Sequence, residues 1–231
     1  MYKANDYYAQ KAKKLGFKAR SAFKLQEIQA QHRLLAKGDR VLDLGSAPGS
    51  WLQLALKIIG STGSIMGIDL TAIHLPPSPN LTIIKGSVFE FANIPDFAGL
   101  CFDVVLSDMA PNTTGIRSID QSRSFELTLA AWEIARKRLL SGGNFCAKVF
   151  ESPQVAELEK AMKNSFRQTH RIRPQSTQKS STEIFLVGKG FCAQPKSGKP
   201  TLNRSKTPQA AQKPKPNRLK PSRLKPIDFC E

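Results

Sequence analysis

The 231-residue chain contains no apolar stretch near the roughly 18 residues that span a bilayer. Its start, Met1-Tyr-Lys-Ala-Asn-Asp6, lacks the apolar core of a secretory signal and carries an early acid, which transit peptides avoid. The expectation is a cytoplasmic protein with no membrane partner. Histidine is scarce, with three residues and no H-E-x-x-H or H-x-x-E-H spacing. The four cysteines, Cys101, Cys146, Cys192 and Cys230, form no C-x-x-C pair. These shortages predict no metal and reduced thiols. Acidic residues are also few, 18 against 35 Lys and Arg, for a formal charge of +17. The excess lies at the two ends: residues 1–40 hold 10 basic and 3 acidic side chains, and residues 192–231 hold 10 and 2. The stretch 41–191 is nearly neutral at +2. Two basic arms around a neutral middle suit electrostatic grips on a polyanion, nucleic acid first, although solubility alone also favours charged termini.

What is present supports one α/β domain: 40% hydrophobic residues, 13 Phe among them, in a chain too short for two large units. Past Phe191 the composition turns to seven prolines and ten Lys or Arg, which cannot bury enough to order itself and reads as a flexible basic tail. Between 40 and 190, apolar β-rich runs alternate with helical patterns, as in a mostly parallel sheet with crossover helices on both faces. Strands are predicted at Arg40–Leu44, Ser64–Ile68, Leu81–Ile84, Phe102–Leu106, Asn144–Val149 and Ile184–Val187, with a weaker one at Arg167–Arg173. Helices are predicted at Trp51–Ile59, Gln121–Leu140 and Gln154–Ser165. Ahead of these, Ala19–His32 places Ala22, Phe23, Leu25 and Ile28 on one helical face, with Lys24 beside it. The chain thus divides into a basic extension (1–39) carrying Lys24, a domain (40–191) and a tail (192–231).

The turn Gly45-Ser-Ala-Pro-Gly49-Ser-Trp51 follows a predicted strand and opens a helix, where glycines let backbone approach a ligand. Its spacing is not G-x-G-x-x-G, and Pro48 removes an N–H that a pyrophosphate would use, so a dinucleotide fits poorly. Asp69 closes the next strand, placed to accept ribose hydroxyls; the alternative is a tight turn with a solvated carboxylate. A ribose-binding acid beside a loop without phosphate character suits S-adenosylmethionine, with Asp43 and Asp108 able to face its cationic end.

Several ordered motifs then coincide: Asp6-Tyr-Tyr, Lys18-Ala-Arg-Ser-Ala-Phe-Lys24-Leu, Asp43-Leu-Gly-Ser-Ala-Pro-Gly-Ser-Trp51, Ser107-Asp-Met-Ala-Pro-Asn112, Gly142-Gly-Asn-Phe-Cys-Ala-Lys-Val-Phe150 and Ser181-Thr-Glu183. In these the chain resembles the FtsJ-type ribosomal RNA 2′-O-ribose methyltransferases over nearly all of 6–190. The resemblance implies a Rossmann-like fold with a seven-stranded sheet, S-adenosylmethionine as cofactor, no metal, and a Lys-Asp-Lys-Glu tetrad falling on Lys24, Asp108, Lys148 and Glu183. Gly45, Gly49, Trp51, Asp69, Ser87 and Asp108 would then contact the cofactor. The substrate it implies is a uridine in the A-loop of large-subunit ribosomal RNA, in the assembled subunit, with the enzyme acting as a monomer.

Read without the family, Lys148 is either an edge residue snorkelling to solvent or a functional cation, and Lys24 is a solvated helix lysine. The tetrad makes Lys148 the group that meets the ribose hydroxyl, as base or orienting cation, with Lys24 opposite and the two acids holding the ammonium groups. Two positions depart from the family. Ser87 stands where an acid usually meets the adenine amine, and Ser176-Thr-Gln-Lys179 replaces Ser-Ser-Arg, shifting an RNA or cofactor-side contact to Lys179. Alternatives are a 2′-O-methyltransferase of transfer RNA or an mRNA cap, and a silent RNA-binding relative that would not need all four tetrad residues. A nicotinamide oxidoreductase would need a glycine fingerprint that is missing.

Overall fold

The computed structural model describes residues 7–91 and 99–193; Asp6 and all but the first two residues of the expected basic tail, Cys230 included, lie outside them. The elements are α1 (Tyr7–Lys14), α2 (Ser21–His32), β1 (Arg40–Leu44), α3 (Ser50–Ile59), β2 (Ser64–Asp69), β3 (Leu81–Lys85), α4 (Val88–Phe91), β4 (Phe102–Ser107), α5 (Arg117–Arg138), β5 (Leu139–Phe150), α6 (Val155–Ser165), β6 (Phe166–Ile172) and β7 (Glu183–Phe191). The sheet has seven strands in the order β3-β2-β1-β4-β5-β7-β6. β1 to β5 pair in parallel, and β7 runs antiparallel between β5 and β6. This is the Rossmann-like methyltransferase fold.

Both faces of the sheet are covered, so its inner strands are apolar on alternate and intervening residues alike. Val41, Ile65, Val104, Leu106, Cys146, Phe185 and Val187 face α2 and α3. Their neighbours Leu42, Met66, Val105, Phe145, Ala147, Ile184 and Leu186 face α5 and α6. Cys101, Cys146 and Cys192 are free thiols. Among the described residues, no helix is long and apolar enough to cross a membrane.

Several boundaries differ from expectation. α5 starts at Arg117, four residues before the expected Gln121. Asp120 in its first turn causes this, accepting hydrogen bonds from Thr114 N–H (2.7 Å), Thr114 Oγ1 (2.9 Å) and Gly115 N–H (3.1 Å). Those N–H donors hold its carboxyl below the usual carboxylate range. The expected helix end at Leu140 gives way to strand at Leu139, so α5 and β5 abut. Gly143 permits that pairing, since a Cβ there would stand 2.8 Å from the Asp103 carbonyl oxygen. β6 forms despite few branched residues because β7 offers it a full antiparallel partner from Phe166 to Ile172.

Candidate active site

The pleat gathers the charged residues. Side chains of one parity in β1, β5 and β7 point to the α2–α3 face: Val41 and Asp43, Cys146 and Lys148, Phe185 and Glu183. The parallel strands β1, β4 and β5 end on the same edge, and antiparallel β7 begins there, so Asp43, Asp108, Lys148 and Glu183 share one corner. Lys148 lies opposite Phe185 and Glu183 opposite Phe150, which sets Lys148 and Glu183 two positions apart across the β5–β7 ladder.

Lys148 sits on an interior strand and is 6% exposed, so it is no edge lysine. Its Nζ donates to the Asp108 carbonyl at 2.7 Å and lies 3.0 Å from Asp108 Oδ1, an ion pair bent away from hydrogen-bond geometry. Lys24 differs from the solvated lysine its helix suggested. It is 9% exposed, pairs with Glu183, and lies 5.9 Å from the centre of the Phe185 ring. α2 is held in place to deliver it: Glu27 accepts from the N–H groups of Gln175 (2.6 Å) and Ser176 (3.0 Å), and Arg20 donates to the Ser176 carbonyl. Arg173 donates to the Ser181 carbonyl at 2.6 Å, tightening the loop that leads to Glu183. Lys179, the expected outward contact, is exposed on that loop.

Beside the ion pairs opens a cleft of about 520 Å³ whose lining includes Gly45, Asp69, Ser87, Asp108 and Asn112. Gly45 has φ +75°, and a Cβ would come within 2.3 Å of Met109 Cγ, so glycine is required. Asp69 accepts from the N–H groups of Ala47 (3.0 Å) and Thr71 (2.7 Å), which fix its carboxylate at the cleft while leaving lone pairs for a diol. Ser87 Oγ accepts from Phe89 N–H at 3.2 Å and keeps its own proton to donate.

Next to the cleft lies a group of buried polar atoms without partners: both carboxylate oxygens of Asp43, Ser46 Oγ and Ser107 Oγ. Burial first, then the neighbouring Asp108 and Asp69 carboxylates, push the Asp43 carboxyl well above its usual range. Buried groups are left unpaired in this way where a polar ligand or water completes them. Unsatisfied acceptors beside a fixed ribose-type carboxylate fit a nucleoside cofactor with cationic groups, as S-adenosylmethionine is.

Two further residues expected at the cofactor also hold the fold together. The Trp51 indole is 2% exposed in the core, donating from Nε1 to the Ser21 carbonyl at 2.9 Å and lying 5.8 Å from the Phe185 ring. Its side chain joins α3 to α2, and only its backbone N–H, in the first turn of α3, remains for a ligand. Gly49 caps α3 at φ +106°, where a Cβ would lie 2.9 Å from Leu75 Cδ1. Sequence reasoning missed Ser124 and Thr128, buried hydroxyls on α5 that bond the β5 backbone beside Lys148. Their i, i+4 spacing among apolar residues was the available signal.

The sheet order, the cleft at the strands' carboxyl ends and the paired lysines define a methyltransferase-type α/β domain. Residues 17–191 match the FtsJ-like methyltransferase family, and the chain belongs to it. It is 45% identical over 184 residues to the ribosomal RNA large subunit methyltransferase E of Desulfatibacillum aliphaticivorans, covering 79% of this chain and 89% of that protein. With the protein of the same description in Bdellovibrio bacteriovorus it shares 43% identity over 197 residues, 81% of this chain and 97% of the other. A solved ribosomal RNA methyltransferase of Plasmodium falciparum superposes with a TM-score of 0.67 at 30% identity, over 76% of this chain and 98% of that one.

Proposed function

We propose that this chain methylates a ribose 2′-oxygen of large-subunit ribosomal RNA with S-adenosylmethionine, its target an A-loop uridine in the assembled 50S subunit, and that it acts as a cytoplasmic monomer. The observation that carries this reading is the meeting of the Lys148–Asp108 and Lys24–Glu183 pairs beside the cleft. The descriptions of its relatives as large-subunit methyltransferases support the substrate.

Asp69 and Ser87 would hold the nucleoside, and Asp43 and Asp108 the cationic end. The cofactor supplies a methyl group already activated as a sulfonium. The protein's part is alignment, which is worth up to about 7–11 kcal/mol in well-oriented reactions. Lys148 donates one N–H to the Asp108 carbonyl and faces Asp108 Oδ1 as a charge partner, which leaves N–H capacity to hold the ribose oxygen. When Lys148 is neutral, the same nitrogen takes the hydroxyl proton as the oxygen gains its methyl. Lys24, held by Glu183, bounds the hydroxyl's other side and neutralises charge developing on the oxygen.

The test is tritiated methyl transfer to purified large subunits, free ribosomal RNA and transfer RNA, with wild type, Lys148→Ala and Asp108→Ala. Alkali-stable label at one ribose of the large subunit is expected, falling about 10²–10⁴-fold in both variants. Label on transfer RNA would move the substrate and keep the chemistry. No label on any RNA, with cofactor binding intact by calorimetry, would overturn the enzyme reading.

A further inference from the structure

β5 outruns β4. The β4–β5 ladder ends at Ser107 and Ala147, whereas the β5–β7 ladder continues to Phe150 and Glu183. From Lys148 onward, the β4-side edge of β5 therefore has no strand partner. Backbone N–H and C=O groups of alternate residues point to the same edge, so Lys148 and Phe150 leave a carbonyl and an N–H to be satisfied there.

α5 satisfies them with side chains. Thr128 Oγ1 lies 2.7 Å from the Lys148 carbonyl, sharing its one proton with the Ser124 carbonyl one turn back at 2.8 Å. Ser124 Oγ accepts from Phe150 N–H at 2.9 Å, and Gln121 Nε2 donates to the Glu151 carbonyl at 2.6 Å. Positions 121, 124 and 128 recur at helical spacing, so they lie on one stripe of α5. Ser124 and Thr128 are each 1% exposed on a helix whose other core-facing residues include Ala131, Trp132, Ile134 and Ala135. Packing alone would place apolar side chains there.

We infer that Gln121, Ser124 and Thr128 form a surrogate strand edge that sets the backbone of Lys148 and so aims its ammonium at Asp108 and the ribose oxygen. They are positioning residues: none touches Lys148 Nζ, and they act by fixing the peptide from which that side chain springs. The inference rests on the reading of Lys148 as the group that meets the 2′-hydroxyl.

The experiment compares Thr128→Val, which keeps the shape and removes the hydroxyl, with Thr128→Ser, which keeps the hydroxyl. Two readouts are taken: steady-state methyl transfer, and acetic anhydride labelling of Lys148 followed by mass spectrometry. For Thr128→Val, kcat is expected to fall about tenfold while KM for cofactor and RNA stays within about twofold, because misplaced reacting groups cost rate rather than binding. Lys148 labelling should rise about threefold or more as local opening frees the amine. Thr128→Ser should restore both. Wild-type kcat and labelling in Thr128→Val would overturn the inference, as would equal losses in Thr128→Ser. If wild type transfers no methyl to any RNA, the functional reading fails, and labelling alone decides whether the hydroxyl holds Lys148.

Discussion

The two faces of the sheet are built from the same alternating strands and carry opposite contents. Against α5 and α6 the packing is aromatic: Trp132 lies 5.7 Å from both Phe145 and Phe166, and Phe166 lies 5.4 Å from Phe191. Against α2 and α3, an equally apolar cluster gives way at the carboxyl edge to buried Asp43, Lys24, Lys148 and Glu183. Burying charges costs several kcal/mol per ion unless partners compensate. A face that needed only to pack would have no use for them. The difference separates the packing that holds this fold from the charges to which we assign the chemistry.

Trp132→Ala would break the comparison from the packing side. Deleting a large aromatic from a filled core costs about 3–5 kcal/mol, read as a lower urea midpoint at unchanged m-value. Its kcat, taken where the variant stays folded, should remain within a few-fold of wild type. The second test works from the charged side, by replacing Lys24 with Met and Glu183 with Leu together. An ion pair exchanged for apolar residues of similar volume is often neutral or stabilising, so urea unfolding should show no loss, while methyl transfer falls about 100-fold or more. A double variant that transferred at the wild-type rate would remove Lys24 and Glu183 from the chemistry.

The smallest effect belongs to Asp43. Its native carboxyl titrates above the ordinary value of 3.8, so between the two values the folded chain binds more protons than the unfolded one. Without cofactor, this group's contribution to stability is present below about pH 3.8 and is lost as pH rises through its native value. Asp43→Asn should flatten that part of the stability–pH curve in urea titrations and weaken cofactor binding in calorimetry. An unchanged slope would mean that Asp43 is not the group responsible.

How far these features could be read beforehand depended on how local their causes are. β2 and β3 announce themselves by β-branched residues, Ile65 and Ile68 in one and Thr82, Ile83 and Ile84 in the other, which strands favour over helices. That Lys24, Asp108, Lys148 and Glu183 come together was legible through ordered motifs, although Lys24 by itself resembled any solvated helix lysine. α1 was not legible: Ala12 is its sole buried residue, so it carries no apolar stripe, and the helix rests on contacts such as the Tyr8–Phe23 ring pair, 5.5 Å between centroids. The start of α5 was missed because Asp120 draws a loop into its first turn. That the Trp51 indole lies in the core was not legible, because a motif position says which residue stands near a ligand, and not whether side chain or backbone faces it.

Composition and local pattern alone determined that a nearly neutral α/β stretch lies between basic ends, and that a glycine turn leads from β1 into α3. Those properties depend on residues close together in the chain. Tertiary structure decided that Lys24 pairs with Glu183, 159 positions away, that Asp43 is sealed from water, and that β5 extends past β4 so that α5 must complete its edge. Each depends on which strand lies beside which and how far their ladders run, and the energy that settles it comes from burial and pairing across the sheet rather than from neighbouring residues.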